Sequence, residues 1–520
     1  MRSLSEYSPT DWRERGARST ALALASLALL LALAPRPSAA VAGQEVTLTG
    51  PVGHAIFGNG DPLYDYNASS SGDPSSLELP PDGNEVRTVG AVTVSGYIYG
   101  GAYEATVLNV SVGGNRVIAE DVGQTLTGNG HIFGGYAHAD SGDATARGNW
   151  VIAAAGGAVN APIMYTEIFG GFAESEHGAA QADGNQIAAD GGAVTSAWEI
   201  YGGNALSEYG AAHADGNQIA AVNDGMVTAA QMIYVGVAYS SYGEAQANGN
   251  RLIADGGKIN AYGVAGGRAR GDVVTASNNR VEISAGAITG AIYGGSANSL
   301  SGDATASNNL VAISGGVIGG GVVGGAADSY SSGSSAASNN RVEISGGVKI
   351  SGNIIGGAAG SYSSGSSAAS NNRVDVSGTP DLTGASIYGG YKYYSAGDVF
   401  TGNVLNLKTS GLIAAAIANF EFLNFYLPVS ARADDVILAI NGQASFQDPN
   451  NSSRTSTVAM AIPGAATPLK ASERIILIDS ANPLDGSPAN GAVAAAQGVA
   501  LTHDFRLDAS GNQLVATLAG

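Results

Sequence analysis

An asparagine recurs along this chain with a near-constant spacing, and that recurrence limits what the chain can fold into. It stands at Asn115, Asn149, Asn185, Asn217, Asn250, Asn279, Asn309, Asn340, Asn372 and Asn403, with gaps of 29 to 36 residues. Gly or Asn precedes each copy, and an alternating apolar run follows. A second anchor interleaves with the first. It is an aliphatic residue at Ile98, Ile132, Ile168, Ile200, Ile233, Val264, Ile292, Val322, Ile354 and Ile387, then a variable residue, then Gly-Gly in all but the Ile233 copy, which has Val235-Gly236. Residues 329–342 and 361–374 are identical over 14 positions. A period near 31 residues marks a repeat architecture, in which one unit cannot bury its own apolar face and must stack on its neighbours.

The unit is built of strands. In Asn340–Ser345, residues 340, 342 and 344 share one face and 341, 343 and 345 share the other, so Val342 and Ile344 point inward while Arg341 and Glu343 face water. Between Ile98 and Asn403 only Pro162 and Pro380 interrupt, which suits ladders that need every N–H. Charged residues are 13 % of the chain and Gly, Ser, Thr and Asn are abundant, which disfavours helix. The sequence therefore predicts an all-β fold: a parallel β-helix (β-solenoid) of about ten coils of roughly 31 residues. Equivalent strands pair with the coil above, the aliphatic anchors form an internal ladder, and the anchor asparagines bond to one another from coil to coil, which offsets the cost of burying them. The residue after the aliphatic anchor (Tyr99, Phe133, Phe169, Tyr201, Tyr234, Tyr293, Tyr388) is placed to form an aromatic stack. Ten coils at about 4.8 Å give a rod near 50 Å long.

Four regions follow. Residues 1–42 read as a signal peptide: Arg13, Arg15 and Arg18 precede a 14-residue apolar run, Ala21 to Ala34, and Ala40-Val41-Ala42 supplies a cleavage site. Residues 43–95 hold seven acids against Arg87 alone and are expected to cap the first coil. Residues 96–404 are the β-helix repeats. Residues 405–520 change character, with longer apolar strands and a hairpin loop at 508–512, and are expected to form a C-terminal β-cap.

Composition excludes several partners. The net charge is −20 and becomes about −22 once residues 1–42 are removed. Phosphate backbones repel such a chain, so nucleic acid is not an expected partner. There is no cysteine, hence no disulfide, thiolate metal site or cysteine nucleophile.

The run Asn-Asn-Arg-Val-Glu-Ile-Ser-Gly-Gly, the Ile-Tyr-Gly-Gly segments and Ser-Gly-Asp-Ala-Thr-Ala together resemble the passenger region of Gram-negative autotransporters (type V secretion) of the adhesin type. Residues 419–428 are similar to the junction segment that in such proteins precedes the outer-membrane barrel and helps the passenger fold. The resemblance spans residues 96–520. It implies a parallel β-helix displayed on, or released from, the cell surface, and a secreted, non-enzymatic role in adhesion to a cell-surface glycan or protein. Self-association into a surface layer or biofilm is the structural alternative, and a polysaccharide lyase or hydrolase the enzymatic one. The family's C-terminal translocator barrel is not present in this chain, which stops at Gly520. Retention in the periplasm is expected if no translocator exists.

No catalytic, cofactor-binding or metal-ligating residue is assigned, although several patterns resemble such sites. Gly319–Gly324 matches G-x-G-x-x-G, but its flanks are repeat, so turn glycines are the better reading. Of the six histidines (54, 131, 138, 177, 213, 503), His138, His177 and His213 fall in the variable zones of successive repeats, where stacking could gather a weak metal patch. Glu167 and Glu199 each precede an anchor, as an acid/base pair or as solvated outer-face residues. Gly58 to Asp61 with Asp65 is a loop of calcium-binding composition. Ser329–Ser335 and Ser361–Ser367, with Tyr330 and Tyr362, place adaptable contact residues in loops of adjacent coils.

Overall fold

In a computed structural model, described for residues 45–519 except 54, 59–81, 106, 364, 394–396, 463–468 and 498–500, the repeat unit closes into one coil of four strands. The coil that begins at Asn185 is representative. Its first strand is Gln186–Asp190, its second Ala193–Ser196, its third Ile200–Ser207 and its fourth Ala212–His213. Each pairs in parallel with its equivalent in the next coil: Ile187 with Ile219, Val194 with Val227, Ile200 with Ile233, Ala212 with Ala245. The chain is an all-β parallel solenoid of about 13 turns, without helix among the described residues. At the ordinary strand spacing it is roughly 60 Å long. Residues 1–42, the expected signal peptide, and most of the acidic segment after Gly58 lie outside the described residues.

The anchor asparagine explains the register. Eleven asparagines, from Asn84 to Asn403, stack in the interior at no more than 1 % exposure. From Asn115 to Asn403, each Oδ1 accepts twice from the preceding coil. Asn309 Oδ1, for example, takes the Asn279 backbone N–H at 2.9 Å and its Nδ2–H at 3.1 Å. The free Nδ2 hydrogen commonly reaches a carbonyl, as Asn279 does to Ala247 at 2.9 Å. The residue before each asparagine is left-handed, with φ between 56° and 74°. Only Gly and Asn adopt that conformation routinely, which is why the repeats read Gly-Asn or Asn-Asn. Opposite the ladder stands the second glycine of Gly-Gly. A Cβ at Gly171 would lie 2.3 Å from the Asn185 amide, so the two motifs are halves of one contact.

That contact pinches the coil into two lobes. The third strand bends at Gly-Gly, where pairing skips one residue (Phe133 with Phe169, then Gly135 with Gly171). Before the bend its aliphatic anchors are fully buried and pack with the first and second strands in an Ile/Val/Leu core. After the bend, Ala137, Ala173, Ala205 and their equivalents face the fourth-strand alanines Ala144, Ala180 and Ala212 in a second core made almost wholly of Ala. Little more than a methyl group fits between those sheets. This accounts for a chain that is 44 % hydrophobic yet only 7 % aromatic.

The stack extends past both ends of the expected repeats, and so exceeds ten coils. Glu45–Leu48 pairs in parallel with Glu85–Thr88, and that strand with Arg116–Ala119. At the other end, Val404–Leu407 pairs with Phe422–Tyr426 and then Thr457–Ile462, while Leu412–Ala418 pairs with Val436–Ile440 and then Arg474–Ser480. These last coils have lost the second and fourth strands. Two antiparallel strands close the end: Leu501–Ser510 pairs Ala492–Gln497, and Gln513–Leu518 returns onto Arg474–Ser480. First-strand and third-strand sheets thereby become one 32-stranded sheet. The five largest fully buried side chains, Phe400, Phe420, Phe425, Phe446 and Phe505, all lie here and plug the tapering core. The hairpin Gln447–Thr455 covers the last fourth strand: Asn450 Nδ2 donates to the Gly397 carbonyl, and Arg454 lies 5.3 Å from the Phe400 ring.

Replacing Asn279 by Ala strands the Asn250 backbone N–H and Nδ2–H at once, and is expected to cost roughly 3 kcal/mol, the penalty for unsatisfied buried donors. Asn308→Gly, at a left-handed position (φ 56°), is expected to stay within about 0.5 kcal/mol, whereas Asn308→Val costs roughly 1–3 kcal/mol in strain. Urea midpoints of the three variants check the ordering.

Candidate functional site

Two surfaces of the rod carry functional groups, and both follow from how the third strand ends or bends. The first is the loop between the third and fourth strands. The third strand ends on a buried serine that pins the loop. Ser207 Oγ accepts the Gly210 N–H at 2.8 Å and donates to the Gly178 carbonyl at 2.9 Å; Ser175 and Ser240 do the same. The residue just before the glycine is left projecting. His177, Tyr209 and Tyr242 therefore stack along the rod, with centroids 5.2 and 5.3 Å apart. Tyr330 and Tyr362 stack at 4.9 Å farther on. Tyr209, Tyr242, Tyr330 and Tyr362 keep 46 to 64 % of their surface in solvent. The identical 14-residue segments fall in register here, Ser329 on Ser361 and Ser335 on Ser367.

The second surface is the outer side of the third-strand bend. Because Gly-Gly breaks the alternation, residues three apart both point outward and their rings meet edge to face. Phe133 and Tyr136 are 5.3 Å apart, Phe169 and Phe172 5.2 Å. The outer face is therefore concave, a valley running along the rod axis. Its floor is an aromatic stack of five of the expected rings, Tyr99, Phe133, Phe169, Tyr201 and Tyr234, extended at one end by Phe57, which the repeat pattern did not mark, with centroids 4.8 to 5.3 Å apart. Ala265 ends the run, and Val323 and Ile355 separate Tyr293 from Tyr388, so those two tyrosines stand outside it. Ring faces in the stack are spent on each other, which makes the floor chiefly a structural element.

Titratable groups line the valley. Glu167 and Glu199 are neighbours in adjacent coils, since Ile168 pairs with Ile200. Burial, with Glu199 as the second cause, pushes the Glu167 carboxyl up to about 7. Glu199 accepts the Tyr201 hydroxyl. The Glu167 backbone N–H donates to His131 Nδ1 at 3.1 Å, and burial lowers the His131 pKa. On the opposite wall His138 lies 3.3 Å from Glu174 and 3.0 Å from Asp140. The Glu174 bond, with Asp140 adding to it, outweighs burial and pushes His138 up to about 9.

The three histidines of the variable zones do not converge: His138 is on a third strand, His177 in a loop and His213 on a fourth strand. Among the described residues no three His, Asp or Glu side chains form a group that could hold a metal. Gly319–Gly321 turn between Val317–Ile318 and Val322–Ser329 with no helix following. Asn59 to Asp65 lie outside the described residues. Sequence reasoning missed Asn204. It occupies the outward column of Tyr136 and Phe172 at 7 % exposure, and its Oδ1 has no hydrogen-bond partner. Comparing equivalent positions of the third strand, where its neighbours are aromatic or aliphatic, would have found it.

The two shifted histidines predict opposite titrations by NMR: His138 with a midpoint near 9, His131 below its ordinary 6.5. Glu167 predicts a stability trend. An unfolded Glu167 releases its proton near 4.5, whereas the folded one holds it to about 7, so stability falls as pH rises through that window. In Glu167→Gln the fall in urea midpoint between pH 4.5 and 7 is expected to be smaller than in wild type. The chain matches no family model, no curated protein and no solved structure.

Proposed function

We propose that this chain is a secreted, surface-displayed adhesive rod of the autotransporter-passenger type, which attaches to a cell-surface glycan or protein through its tyrosine-bearing loop edge. The observation that carries the reading is two stacks of half-exposed tyrosines on the loop edge between third and fourth strands, Tyr209 on Tyr242 two residues after the pinning serine and Tyr330 on Tyr362 one residue after it. Tyrosine flanked by serine and glycine offers a large contact area with little side-chain entropy to lose. A stiff scaffold presents both stacks on one edge, so weak individual contacts sum without further ordering cost. No catalytic step is required of this edge.

Beads coated with the wild-type chain are expected to attach to cultured epithelial cells. Replacing Tyr209, Tyr242, Tyr330 and Tyr362 together by Ser should lower attachment at least tenfold with an unchanged melting profile. Equal attachment by the two proteins refutes the reading.

A further inference from the structure

We propose that the valley at the coils of Ile168 and Ile200 is a second binding site, built for a glycan without acid groups. The site does not depend on the loop edge. Its polar groups come from two adjacent coils. Glu199 holds the Tyr201 hydroxyl through one carboxylate oxygen. Glu167, beside it, keeps 20 % of its side-chain surface exposed. Asn204, in the outward column across the Gly-Gly bend of the same third strand, is more than nine-tenths buried, and its solvent-shielded Oδ1 accepts nothing. A buried acceptor without a donor costs free energy that a ligand hydroxyl or ammonium would recover.

The flanks complete the argument. Tyr165 and Trp198 stand just before Glu167 and Glu199 in sequence, and their rings approach to 4.6 Å at a 54° tilt. Tyr165 is 63 % exposed and is held at φ 68°, a conformation a tyrosine seldom adopts. Unlike the rings of the floor stack, this pair leaves aromatic surface open beside the acids. An apolar platform next to a few converging polar groups is the composition of small-ligand sites. The polar set is dominated by acceptors, so the ligand must be rich in donors: a pyranose with free hydroxyl or amino groups. Acidic sugars are disfavoured by charge. The third strands from Ile98 to Ser240 contain no Lys or Arg, and the first one downstream, Arg268, is bonded to the Tyr234 hydroxyl at 2.7 Å.

Isothermal titration of the full chain with three hexasaccharides tests the site: cellohexaose, the glucosamine hexamer and hexagalacturonate. Cellohexaose and the glucosamine hexamer are expected to bind, the latter more tightly, and hexagalacturonate at least thirtyfold more weakly. Trp198→Ala, and separately Glu199→Gln with Asn204→Ala, should each weaken glucosamine-hexamer binding at least tenfold. Far-UV circular dichroism and the melting profile verify that the variants fold. If the buried pair fails to fold, the surface variant Trp198→Ala decides. No binding of any hexamer, binding of hexagalacturonate at equal strength, or undiminished binding by folded variants overturns the proposal. Tyr209→Ser with Tyr242→Ser should leave hexamer affinity unchanged, so loss of cell attachment and loss of sugar binding report on different sites.

Discussion

The amide-to-amide contact between successive coils is the interaction on which the rest of this molecule depends. Each asparagine side chain is both acceptor and donor, so a row of them satisfies itself in one direction only. The links from Asn84 to Asn403 keep the same polarity throughout. Hydrogen bonds aligned head to tail polarise one another, which strengthens the row beyond its separate members. The row also fixes register. A coil slipped by one residue would put its asparagine on the water side and an Arg, Gln or Trp in the core. Apolar ladders alone discriminate less well, because an Ile facing a Val still buries its surface.

From this contact the cross-section follows. An asparagine filling the waist needs a partner without a side chain, and the second glycine supplies it in all ten copies, including the Ile233 copy where the first is Val235. Once glycine occupies that point, the third strand can bend there and its outward alternation fails. Interior division into a wide Ile/Val lobe and a narrow Ala lobe, and the exterior valley, are two consequences of one bend. Aromatic rings then fill the valley where the coil presents them, and their mutual stacking stiffens the rod from outside.

Much of this was legible in the sequence, because a stacked repeat writes its contacts as periodic residues. The asparagine ladder, the buried anchors and five of the six stacked rings could all be located by position, while Phe57 could not and Tyr293 and Tyr388 proved to stand apart. What stayed hidden was whatever broke the period. Asn84 is a true rung, bonded to Asn115 at 3.1 Å, but it sits in an acidic segment that reads as a cap. The C-terminal coils lack the asparagine, and the step from Asn406 to its partner Asn424 shrinks to 18 residues when the second and fourth strands are dropped. The two-lobed section was hidden for another reason. Alternation tells inside from outside, but not which of two interiors a residue faces, and only the size difference between Ile and Ala carried that information.

The same logic bears on where function resides. Positions that serve the stack are held to a few residue types by packing, as the left-handed position is held to Gly or Asn. Positions that face water are free to vary, so a departure there costs the fold little. Asn204 is such a departure, a polar side chain set between Phe172 and Val237 in a buried place where an unmet acceptor is unfavourable. Tyr165 is another, a large residue in a backbone conformation that ordinarily selects Gly or Asn. Two local violations within one coil height, beside a pair of acids whose mutual repulsion adds to the desolvation of one of them, are costs the solenoid does not require. The proposed glycan site is the account that gives those costs a common cause.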